Sequence, residues 1–185
     1  VPRIRRTTSA IAALALASGV LVAGGTAYAA PASAAALAAT CSQDFLPLPD
    51  PSCTPGATNP DVSQDTIDDT ICVAGYSKSI RPSTSYTNRL KVQQIAEYGY
   101  EETSLSEYEE DHHIPLSLGG HPTDPRNLWP QPHYATGADG LTARDKDKVE
   151  YKLYRAVCNH EVDLVPAQEA IATDWTTALA LLGLG

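Results

Sequence analysis

An acid and two imidazoles stand side by side at Asp111, His112 and His113. A Gly-Gly pair follows at Gly119 and Gly120, and then Asn127 in a short apolar segment bounded by prolines. Four of the five histidines, His112, His113, His121 and His133, fall in this stretch or just past it. These side-chain types suit hydrolysis of a phosphodiester. That reaction needs a base to activate water, a cation to meet charge on the phosphate and the leaving oxygen, and a group to orient the base. A carboxylate such as Asp111 takes a hard divalent ion, the imidazole of His112 takes the proton, and an amide from a neighbouring strand holds the imidazole. Alternation along a strand sends Asp111 and His113 one way and His112 the other. An Asp111/His113 metal pair is therefore a second reading of the cluster, and a polar core role for His113 is a third.

The elements that must position these groups follow from periodicity and punctuation. Residues 109–114 suit a strand, a loop carries Gly119 and Gly120, and 127–129 suit a second strand that Pro130 and Pro132 end. Residues 142–159 make the best helix, with Val149, Leu153, Ala156 and Val157 at i, i+4, i+7 and i+8. A helix over 83–98 has Tyr86, Leu90 and Ile95 on one face and Gly99 at its end. A short helix over 63–72 buries Ile67, Ile71 and Val73, and a last one runs over 163–182 on Leu164, Ala167, Ile171, Trp175 and Leu179. The acidic run from Glu101 to Glu110 holds no Lys or Arg and reads as a solvated loop. Trp129 and Trp175 read as core. The fold class is α+β.

The run Asp111-His112-His113-Ile114-Pro115-Leu116-Ser117-Leu118-Gly119-Gly120, followed by Asn127-Leu128, resembles the D-H-x-I-P-L-x-x-G-G…N-L core of HNH endonucleases. It is most similar to small secreted actinobacterial HNH-like proteins and covers residues 108 to about 155. The resemblance implies a ββα-metal core with flanking helices, with Asp111 as the metal-binding acid, His112 as general base and Asn127 as the residue that orients the base loop. It departs from the family on the helix, which lacks the usual His or Asn, and no cysteine pair follows. The helix offers Asp145, Lys146, Asp147 and Glu150 instead. Asp147 is expected as the second metal ligand, Glu150 next and His133 after it. The competing reading of these residues is a solvated face of alternating sign. Carboxylate-rich ligands suit one Mg²⁺ or Mn²⁺, with Zn²⁺ admitted where an imidazole joins. Arg126, Lys146 and Lys148 are the candidate phosphate contacts; as isolated surface cations they need no such role.

The remainder of the chain bounds where such chemistry takes place. Arg3, Arg5 and Arg6, the apolar run to Ala23 and Ala27-Tyr28-Ala29 make 1–29 a signal peptide. Residues 30–61, rich in Ala, Pro, Ser and Thr, read as an exposed linker, and 62–185 as the nuclease-like domain. Four cysteines in an exported chain read as two disulfides, Cys41–Cys53 and Cys72–Cys158, with Cys53–Cys158 the competing pairing. The formal charge is −9, and loss of Arg3, Arg5 and Arg6 with the leader takes it to −12. That balance opposes tight binding of long nucleic acid, unless a cation in the site supplies positive charge locally. The expectation is a secreted, monomeric, metal-dependent endonuclease acting on DNA or RNA, without lasting membrane association. Two alternatives are a catalytically silent HNH-like extracellular binding or structural protein, and a secreted nuclease toxin with an immunity partner.

Overall fold

The computed structural model describes residues 40–185. The expected signal peptide and the first residues of the expected linker lie outside the described residues. The protein is α+β. In chain order come α1 (Tyr76–Ile80), α2 (Thr84–Glu97), β1 (Tyr108–His112), β2 (Leu128–Pro132), α3 (Ala143–Cys158), α4 (Leu164–Asp174) and α5 (Ala178–Leu181), with short 3-10 turns between them.

β1 and β2 form a two-stranded antiparallel sheet in which Asp111 faces Trp129 and His112 faces Leu128. The second strand runs through Pro130 and Pro132 instead of stopping at them. Backbone bonds from His113 N to Asn127 O and from His133 N to Glu107 O set the phase of the ladder. The paired N–H groups of β2 therefore fall at odd positions. Pro130 and Pro132 sit at even ones, where an N–H would face away from β1 and its loss costs no ladder bond.

Two apolar clusters flank this sheet. One gathers Ile114 and Leu118 from the loop after β1, Leu153 and Val157 from α3, and Leu164, Ile171 and Trp175 from the C-terminal helices. The other gathers Ile95, Tyr98, Tyr100, Tyr108 and Trp129. Both tryptophans are buried, as their sequence setting predicts. α3 matches its expected span almost to the residue, and Thr142 and Asp145 form its capping box. α2 departs in what it buries: Lys91 and Gln94 lie inside beside Ile95. Lys91 Nζ donates to the carbonyls of Leu105 and Tyr108, and Gln94 Nε2 to that of Leu128, so the helix ties down strand ends by polar bonds. The 63–72 helix contracts to a 3-10 turn over Gln64–Asp69 that leaves Val73 exposed. The final helix breaks after Asp174, whose carboxylate accepts from Thr176 N and Oγ1 and so competes with continued helix.

The bridges are Cys41–Cys53 and Cys72–Cys158, and no cysteine is left free. Residues 40–61 are not an exposed linker. Cys41, Asp50, Thr54 and Asn59 are buried. Gln43 Nε2 caps the end of α2 through the carbonyls of Tyr98 and Gly99. Asp50 gathers Ser42 N, Ser52 N and Ser52 Oγ on its carboxylate. Hydrogen bonds and a disulfide hold the segment in place, so it lacks the apolar period that would have marked it as folded. Among the described residues no helix is long and apolar enough to cross a membrane.

Candidate functional site

Four successive residues of β1, Glu109, Glu110, Asp111 and His112, line one cavity of about 300 Å³ together with Arg81, Pro115, Leu116, Asp147 and Glu150. Among the described residues β1 has a partner strand on one side only, and four of its consecutive residues contribute to the cavity wall. Asp147 and Glu150 come from α3, three residues apart and on one face.

Asn127 builds the loop that frames this cavity. It is completely buried. Its Oδ1 accepts from Ile114 N at 2.9 Å and Ala57 N at 3.3 Å, and its Nδ2 donates to Ile114 O at 3.0 Å and His121 O at 3.1 Å. The loop closes tightly at Gly120, where a Cβ would stand 1.7 Å from the Ile114 oxygen, so no other residue fits. The next carbonyl, Pro122 O, lies 3.0 Å from Nε2 of His112. A carbonyl only accepts, so Nε2 carries the proton and Nδ1 keeps its lone pair. Among the described residues Nδ1 has no partner and, unlike Nδ1 of His113, it is not sealed from solvent. Burial lowers the His112 pKa, which leaves the ring neutral at neutral pH. The chain of contacts from Asn127 through His121 and Pro122 thus presents a neutral imidazole to the cavity.

Lys146 is the surprise of the site. It is 1% exposed. Its Nζ donates to Asp111 Oδ2 at 2.7 Å, to His112 O at 3.0 Å, and to Glu150 Oε1. Three acceptors meet the three protons of the ammonium. Burial alone would lower its pKa; the charges of Asp111 and Glu150 outweigh that and hold it above the ordinary lysine value, so it stays charged. Asp111 and Glu150 therefore converge as expected, but around an ammonium. Among the described residues no three His, Cys, Asp or Glu side chains are grouped so as to hold a metal ion. The expected ligand set of Asp111, Asp147 and Glu150 does not fit an ion in this arrangement, because one oxygen of Asp111 and one of Glu150 are bonded to Lys146, which holds the point between them.

The other carboxylates of the cavity are crowded. Burial, then the charges of Asp111 and Asp147, push Glu109 up to about 7. Burial pushes Glu110 up to about 8, and both its oxygens lack a partner among the described residues. Burial raises Glu150 to about 7 against the pull of Lys146. Asp147 is raised by burial and by Asp111.

The remaining sequence candidates lie elsewhere. His113 is buried on the far side, its Nε2 3.0 Å from Ala172 O on α4, and burial pushes it down to about 4. It packs the helix against the strand and does not reach the cavity. His133 is exposed and lines a separate cavity with Ser106, Thr142 and Arg144. Arg126 is paired with Asp124 and Lys148 with Asp145, each outside the cavity. Lys146 is too buried to serve as a surface phosphate contact. Sequence reasoning missed Arg81, Glu109 and Glu110. The two glutamates were absorbed into the acidic run, although their place directly before Asp111 on the same strand was the available signal. Arg81 carried no signal beyond its position before Pro82.

Comparisons with protein families, curated proteins and solved structures found no match. The resemblance to HNH endonucleases stands on the quoted residues alone.

Proposed function

We propose that this chain is a secreted phosphodiester hydrolase acting on nucleic acid, with His112 as its general base. The observation that carries the reading is the setting of that ring. Nε2 is anchored on the Pro122 carbonyl, and Nδ1 is unpartnered beside the cavity that Asp111, Asp147 and Glu150 share. A neutral imidazole held this way takes a proton from water as the water attacks phosphorus. Arg81 is the exposed cation of the cavity wall and has no carboxylate within ion-pairing distance among the described residues, which suits it to a phosphate oxygen. Glu109, pushed up to about 7 by burial, is able to return a proton to the leaving oxygen. Two disulfides and the absence of a membrane-crossing helix among the described residues accord with an extracellular setting.

The test is cleavage of plasmid, single-stranded DNA, RNA and an activated phosphodiester by the purified chain, with and without added Mg²⁺ or Mn²⁺. His112→Ala is expected to lower the rate at least a hundredfold. Intact substrates under every condition, or cleavage indifferent to His112→Ala, would sink the reading. A second reading is a catalytically silent protein that keeps the motif for folding. The observation favouring it is the cavity wall, where five carboxylates stand against one exposed guanidinium and repel a phosphate.

A further inference from the structure

We infer that Lys146 is the resident cation of this centre, occupying the point between Asp111, Glu150 and the His112 carbonyl that a divalent ion would otherwise take. Two carboxylate oxygens and one carbonyl oxygen converge there from β1 and from α3. Such a cluster of hard oxygen donors is what Mg²⁺ or Mn²⁺ selects, at about 2.0–2.1 Å for Mg²⁺. The oxygens of Asp111 and His112 stand at 2.7 and 3.0 Å from Nζ instead, which are distances for an ammonium hydrogen bond.

The ammonium is tethered one helical turn before Glu150, on the same face of α3, so its place is fixed by the fold. At 1% exposure it has no water to return to when an ion arrives. An ion entering would have to expel a buried charge that three acceptors satisfy.

The consequence is a centre whose positive charge is built into the chain. The Lys146 ammonium fixes the Asp111 carboxylate and the strand end that carries His112, and it supplies a permanent positive field beside the phosphate. This catalytic half rests on the phosphodiesterase reading; the binding half does not.

The experiment follows Mn²⁺ binding by electron paramagnetic resonance, alongside thermal melting in millimolar Mn²⁺, for the wild-type chain with both disulfides formed, for Lys146→Met and for Lys146→Met/Asp111→Asn. The wild type is expected to bind no stoichiometric Mn²⁺ and to melt unchanged. Lys146→Met frees the oxygens and is expected to gain one Mn²⁺ site at least tenfold tighter than any in the wild type, with a rise in melting temperature that the double variant loses. Any cleavage by the wild type is expected to persist in EDTA. A stoichiometric Mn²⁺ site in the wild type overturns the inference, and so does activity lost in EDTA and restored by Mg²⁺. A folded Lys146→Met that gains no site overturns it too. Should that variant not fold, the wild-type titration alone decides. Absence of cleavage under all conditions removes the proposed function and leaves the binding result standing.

Discussion

Residue types legible from sequence acquire their roles only through their partners. Asp111-His112-His113 was readable as an acid–imidazole cluster, and His112 does line the cavity with Asp111. His113, one residue past the end of β1, is instead a packing residue on α4, its Nε2 3.0 Å from Ala172 O. Lys146 was read as a candidate phosphate contact or an isolated surface cation, although its place three residues before Val149 and seven before Leu153 puts it on the apolar face of α3. Two predictions belong to this scale. In Asn127→Ala the buried groups of Ile114 and His121 lose their partners, for an expected loss of about 2–4 kcal/mol measured by urea unfolding. Asn127→Asp is expected to recover less than half of that, because a carboxylate cannot donate to the two carbonyls. Nitrogen NMR of His112 is expected to report a neutral ring protonated on Nε2, with a pKa below 6.5. A ring protonated on Nδ1 would remove the argument that this nitrogen is the base.

At the scale of elements, α3 was legible nearly to its ends because its apolar residues keep helical spacing and its cap sits at Thr142. The loop between the strands was legible from its glycines, and Gly120 shows why: there is no room for a side chain against Ile114 O. Residues 40–61 were not legible, because side-chain bonds to Asp50, the bond from Ala57 to Asn127 and the Cys41–Cys53 bridge leave no periodic trace. The break after Asp174 was hidden for a similar reason, a local hydrogen bond overriding an apolar stripe that continues through Trp175. The bridges give this scale its prediction. Cys72–Cys158 closes 86 residues and Cys41–Cys53 closes 12. Loop-closure entropy makes the long bridge worth roughly 4–5 kcal/mol and the short one about 3 kcal/mol. Cys72→Ser/Cys158→Ser is therefore expected to lower the unfolding free energy more than Cys41→Ser/Cys53→Ser. The short-bridge variant should show its extra hydrogen exchange at residues 40–61. Exchange rising evenly through the chain would contradict the view that the bridge pins this segment locally.

For the whole molecule the dominant fact is an acidic chain that folds several carboxylates into one cavity. Glu109, Glu110 and Glu150 hold protons to about pH 7, 8 and 7 when folded, against an ordinary value of 4.5. Between 4.5 and those values the folded chain binds more protons than the unfolded one, so stability falls as pH rises and levels off above about 8. His113 works the other way: burial takes it from 6.5 to about 4, so stability rises with pH across that interval, and His112 adds to the same slope. Three glutamates outweigh the histidines wherever both titrate, so the net slope is downward above about pH 5 and the stability maximum falls at about pH 4–5. Glu110 isolates the alkaline limb, since its two oxygens have no partner to lose. Glu110→Gln is expected to raise stability at pH 8 by roughly 1–3 kcal/mol while changing it little at pH 4.5. Melting temperatures read from pH 4 to 9 for both proteins check this. A wild-type melting temperature that climbs steadily from pH 5 to 8, or a Glu110→Gln profile parallel to it, would mean that these carboxylates are ionised in the fold. The charge balance around Lys146 would then have to be met from outside the chain.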